Sequence, residues 1–212
     1  MEKFEDRLKK ILLQYLRQEN VVGERLPICP DVEDKWQELL QAYLPDGVRE
    51  FNEYPMVSLG WVMFIGMAMA KFWDEDWEVY GALNTLSLYE GLRNKRGFDE
   101  MDEYILEDVL KLDEEGCKKM TETVAECASI TNTLMRKEDV EPGTKEALQA
   151  YLDSLHQMYL MGMAVQLNAM GYKMLGLNSY MRNEPLMITT QSPQLVALKQ
   201  FQLYCHVKCH SV

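Results

Sequence analysis

The chain has 212 residues, 47% of them hydrophobic and 26% charged, which is enough apolar material for one sizeable core and favours one domain or at most two. Its formal charge of -12 repels phosphate backbones and anionic headgroups, so without a local basic patch composition excludes a nucleic-acid partner and a membrane partner. The densest basic group, Arg93, Lys95 and Arg96, falls at a predicted helix end, where it complements the helix dipole.

In chain order, Phe4, Leu8, Ile11, Leu12, Tyr15 and Leu16 recur at the helical period with charges opposite, predicting an amphipathic helix over residues 3–18. These twenty N-terminal residues lack the apolar run of a signal peptide. The five scattered cysteines do not make a disulfide framework, so reduced thiols and a cytoplasmic setting are expected. Gly23, Pro27 and Pro30 mark a loop. Asp31 is the expected N-cap of a helix to about Tyr43, and Pro45-Asp46-Gly47 its expected end. A short turn over Val48–Glu53 leads to Pro55, in the first turn of a long apolar helix.

From Met56 to Ala70 no residue is charged. At helical rise that run covers about 22 Å, short of the roughly 30 Å of a hydrocarbon core. Acids flank it on both sides, at Glu53 and at Asp74, Glu75 and Asp76, so a buried helix is predicted rather than a membrane span. It becomes one-sided near Asp74, where Phe72, Trp73, Trp77 and Tyr80 continue the apolar face, and Gly81 breaks it. A helix over Ala82–Arg96 follows, with Gly97 as its stop. Residues from Asp99 to about Lys137 are predicted helical, divided at Gly116. Glu141-Pro142-Gly143 is a turn, and Thr144 caps a last long helix that runs to Leu175, with Gly176-Leu177 as a Schellman ending. Beyond Leu177 the only acid is Glu184. Residues 1–177 are read as the bundle. Residues 178–212 are a C-terminal extension whose terminal helix at 193–208 carries Leu195, Leu198, Phe201 and Cys205 on one face.

No period-two pattern persists. The expected fold is all-α, a single-domain antiparallel bundle of about six to eight helices around two buried Met/Gly/Ala-rich ones. Those two share a vocabulary: aligning Gly66-Met67-Ala68 with Gly162-Met163-Ala164 also pairs Ser58 with Ser154 and Leu59 with Leu155. Small residues let two backbones approach while methionine fills irregular gaps, so Gly66 and Gly162 are expected at one close crossing. An internal duplication is the bolder reading. Two buried helices drawing on one apolar alphabet is the plainer one, because the flanks do not align.

Four groupings bear on chemistry. Asp153-x-x-His156 is a single pair where a ferritin-like di-iron bundle needs two Glu-x-x-His pairs, which excludes that site. Asp153, His156, Tyr159, Gln157, Gln166 and Asn168, with Trp61 and Met63 opposite, are the candidate lining of any buried pocket. In the tail, Cys205 with Cys209 and His206 with His210 have the i, i+4 spacing that lets pairs grip Zn²⁺. Glu75-x-x-Glu78 and Glu100-x-x-Glu103 place paired carboxylates that, on facing helices, hold Mg²⁺ against a pyrophosphate. Their spacing resembles that of the MazG-like all-α nucleotide pyrophosphohydrolases, in which Glu-x-x-Glu precedes Glu-x-x-Asp; here Glu103 replaces the final Asp. That resemblance implies a Mg²⁺-dependent hydrolase. The leading expectation is different: an acidic all-α interaction or binding module, self-associating or taking a protein partner.

Overall fold

The computed structural model describes residues 2–172. Among them are eight α-helices and no strand: α1 (Phe4–Gln18), α2 (Pro30–Glu33), α3 (Trp36–Glu53), α4 (Pro55–Tyr80), α5 (Thr85–Asn94), α6 (Met101–Tyr104), α7 (Glu114–Arg136) and α8 (Lys145–Ala169). A 3₁₀ turn over Phe98–Glu100 precedes α6, and a π-helical turn over Ile105–Val109 follows it. The extension at 178–212, with its terminal helix and its cysteine and histidine pairs, lies outside the described residues.

The core is built on α4 and α8. Every residue of α4 from Ser58 to Ala70 is buried, as is α8 from Tyr151 to Leu167 apart from Asp153, His156 and Leu160. At their crossing a Cβ on Gly66 would overlap the Tyr159 carbonyl oxygen, and one on Gly162 would overlap that of Met63. The two backbones therefore touch with no side chain between them. By length and composition α4 could cross a membrane, but 72% of its apolar window is buried inside the protein.

Pairwise contacts give the directions. Ser58 meets Tyr151, Gly66 meets Tyr159 and Met163, and Asp74 meets Tyr172, so α4 and α8 run parallel. Their outer neighbours run the other way. Thr131 reaches Met158 and Ser154 reaches Met135, which sets α7 antiparallel to α8. Tyr43 bonds Ser58 while Asp31 bonds Trp73, so the α2–α3 segment descends along α4. On the far side α1 packs Leu8, Leu12 and Leu16, each fully buried, at about 1.5–3 kcal/mol per side chain. Its Arg7–Glu138 ion pair ties it to the end of α7.

Several boundaries differ from the sequence expectation. Helix α3 does not stop at Pro45 but continues to Glu53. Pro45 has no N–H to give the preceding turn, yet tertiary bonds hold the turn in place. The Tyr43 hydroxyl donates to the Ser58 carbonyl, and Ser58 Oγ donates to the Gly47 carbonyl at 2.9 Å. Asp31 is not a cap: Pro30 opens α2, and Asp31 instead accepts the Trp73 indole N–H at 2.9 Å. Asp76 (φ -164, ψ 84) breaks the helical path of α4 and accepts the Val79 N–H, acting as a cap for its last turn. Asn84 caps α5 by accepting from Leu86, which leaves Ala82 and Leu83 in a turn. The break expected at Gly116 falls at residues 110–113, where Lys111 has φ 57; Asp113 caps α7 through the Gly116 N–H at 2.8 Å. Thr144 caps α8 as expected. That helix ends at Gly171 (φ 86) and not at Gly176, with Gly171 N–H on Asn168 and Tyr172 N–H on Leu167, the two bonds of a Schellman motif.

The crossing makes a paired prediction. Gly162→Ala must push α4 and α8 apart, and its urea midpoint should fall by the equivalent of about 2 kcal/mol or more, outweighing the helix propensity gained. Gly91→Ala, in α5 with nothing within 4 Å of its Cβ position, should gain about 0.5–1 kcal/mol. Equal effects at the two positions would refute the close crossing.

Candidate functional site

The expected pocket residues do not converge on a cavity, because the interior where they sit is packed. Tyr159 is fully buried, its hydroxyl donates to the Val32 carbonyl at 2.8 Å, and burial pushes its pKa well up. Met63 is wholly buried with its carbonyl under Gly162, and Gln166 is buried on the same helix as that glycine. Trp61 faces away from them, with its ring edge-on to Phe98 at 4.5 Å.

Asp153 and His156 lie where α8 meets α1. The His156 ring stacks on Trp36 at 5.0 Å, and its Nδ1 is 3.5 Å from Glu5 Oε1. Gln157 adds a bond from Nε2 to the same Glu5 oxygen at 2.8 Å. Asp153 does not bond His156; it accepts from Gln149 at 2.8 Å, and burial raises its pKa. Burial also raises that of Glu33, against the attraction of His156 and Lys9. This group is a clip holding α1 and α3 on α8.

The paired glutamates are not brought together. All four are exposed. Glu75 pairs with Lys71 at 3.4 Å, and the break at Asp76 separates it from Glu78. Glu100 and Glu103 flank α6, which lies against Trp61 through Phe98. Trp61 and Glu75 are fourteen residues apart on one helix, or about 21 Å. Among the described residues no three His, Cys, Asp or Glu side chains gather as metal ligands. The described thiols offer no nucleophile either: Cys29 and Cys127 are pushed up to about 11 and about 12 by burial, and so stay protonated.

The structure instead shows a surface feature absent from the sequence expectations. Lys35, Glu38, Gln41 and Ala42 of α3's first turns, with Ala82, Leu83, Asn84 and Leu86 of the α4–α5 corner, line a depression of about 620 Å³. Leu83 is 43% exposed and Leu86 47%, with Val79 exposed just before them. The corner is fixed from below by Thr85, whose hydroxyl bonds Glu38, and by Tyr89 and Arg93, which both bond Asp46. Its rim is acidic: Glu38, Asp76, Glu78 and Glu90 are exposed around one lysine, Lys35. Asn84 was the available sequence signal, since a cap there removes Leu83 from any buried helical stripe.

The fold and this site define an all-α bundle with a packed interior and a polar-rimmed apolar depression at one corner. Comparison with protein-family models, characterised proteins and solved structures finds no match for the chain.

The α1 clip carries a pH prediction. Its hydrogen bond with His156 holds the Glu5 carboxyl below its ordinary value of 4.5, against the opposing effect of burial. A carboxyl held low in the fold adds stability above its ordinary pKa, and that stability is lost as pH falls through the lowered value. Glu5→Gln should therefore flatten the loss of stability below pH 4.5, read as urea midpoints from neutrality downwards. Asp153→Asn, removing a carboxyl that burial raises, should change the slope in the opposite sense. A Glu5→Gln chain with an unaltered acid limb would dismiss the clip.

Proposed function

We propose that this chain is an acidic all-α interaction module whose docking face is the depression at the α4–α5 corner. The observation that supports this most is the exposure of Leu83 and Leu86 on either side of a capping Asn84, at the mouth of a depression of about 620 Å³. Apolar side chains with a polar rim are the usual anatomy of a surface that receives another polypeptide. Helix–helix recognition suits the site, because an amphipathic segment presents apolar residues at i, i+3 and i+4 to such a groove. The acidic surface favours a protein segment over nucleic acid or anionic lipid as partner. The partner is a protein segment, foreign or the chain's own. Its setting in this reading is the cytoplasm, in keeping with the free thiols Cys29, Cys117 and Cys127.

The test compares the wild-type chain, Leu83→Gln/Leu86→Gln, and Ile11→Gln as a control at an exposed apolar position on α1 (38%). Sedimentation equilibrium reads self-association, and capture from the native source reads partners. The double variant should weaken the observed association by about tenfold, the equivalent of ~1.4 kcal/mol, while Ile11→Gln should leave it intact. Identical behaviour of all three chains, monomeric and without partners, would sink the reading.

A further inference from the structure

Resting on that reading of the corner as a docking face, we infer that its occupant is a segment of this same chain, residues 193–208, seated in cis. The first observation is where the described fold ends. The Tyr172 hydroxyl bonds Asp74 at 2.7 Å, and its ring lies edge-on to Trp73 at 5.3 Å. Trp73 in turn donates to Asp31, just ahead of α3, whose first turns form one wall of the depression. The other wall, beginning at Ala82, follows Asp74 by eight residues, or about 12 Å of helix at most. The chain therefore leaves the bundle at the end that carries the depression. Residues 173–192 span up to roughly 66 Å when extended, so the gap is easily bridged.

Charge is the second observation. Of the chain's acids only Glu184 follows Tyr172, whereas Lys173, Arg182, Lys199 and Lys208 do. Residues 193–208 contain no acid at all, and Lys199 and Lys208 complement the rim of Glu38, Asp76, Glu78 and Glu90. The body of a second copy would bring acid against acid. The third observation is chemical: Leu195, Leu198 and Phe201 repeat every three residues, the spacing that fills an apolar groove flanked by polar rims. Tethering makes the contact intramolecular at an effective concentration on the order of mM, so modest apolar burial is enough to populate it.

Zero-length carbodiimide coupling of the full chain, mixed from equal parts of unlabelled and ¹⁵N-labelled protein, tests this. The expected products join Lys199 or Lys208 to Glu38, Glu78 or Glu90, with both peptides carrying the same isotope. They should fall by about tenfold in Leu83→Gln/Leu86→Gln and again in Leu198→Gln/Phe201→Gln, whose changes lie outside the packed core. Circular dichroism confirms that both variants fold. Links that are missing, or that survive both variants, overturn the inference. Mixed-isotope links overturn the intrachain seating while leaving the docking face in place. Missing links together with a captured foreign protein lost on Leu83→Gln/Leu86→Gln also overturn the inference alone. Missing links with no association sensitive to that variant overturn both it and the docking face.

Discussion

The fold depends on one contact, the meeting of α4 and α8 backbone to backbone at Gly66 and Gly162. Once two helices touch this closely, the residues around the crossing have no route to water. The sequence meets that condition with unbranched methionines at 63, 67, 69, 158, 161 and 163, which adapt to the uneven space beside a glycine contact. Helices α1, α3 and α7 then need only one apolar face each, and their sequences are amphipathic accordingly.

Polar groups enclosed by this arrangement find partners close by. The Tyr151 hydroxyl meets Ser58 Oγ at 2.8 Å, and Ser58 passes its own proton to the Gly47 carbonyl. Thr131 and Ser154 bond back to carbonyls one turn earlier in their own helices. Satisfied hydroxyls of this kind fix register without leaving a donor or acceptor poised for a substrate. The interior is a scaffold, and the features that address other molecules lie outside it.

Much of the fold was legible from residue pattern. A run without charge from Met56 to Ala70, its echo near Gly162, and caps such as Thr144 are local signals that the tertiary structure leaves alone. Pro45 was misleading because bonds from a different helix, at Ser58, keep the chain helical past a residue that breaks isolated helices. Asp76 breaks α4 although its neighbours are ordinary helix residues, since its carboxylate offers the backbone a competing partner. The site was less legible. Polar residues on α8 looked like a pocket lining because sequence shows polarity without showing who satisfies it, and Tyr159 is satisfied by Val32 from far along the chain. The two glutamate pairs had the right spacing, but spacing along a chain does not place α6 beside the end of α4.

The parallel course of α4 and α8 also bears on how the chain folds. Two consecutive helices joined by a short turn pair antiparallel, as α7 and α8 do, and such hairpins form early because little chain must be ordered to close them. Parallel partners need an intervening segment that travels back. Here the crossing joins residues about 96 apart, and its closure entropy must be met before the glycine contact stabilises anything. The contact that organises the native core is thus the one that local folding reaches last. The α7–α8 hairpin forms first and presents a ready groove, and α4 enters it as the final, committing step of assembly.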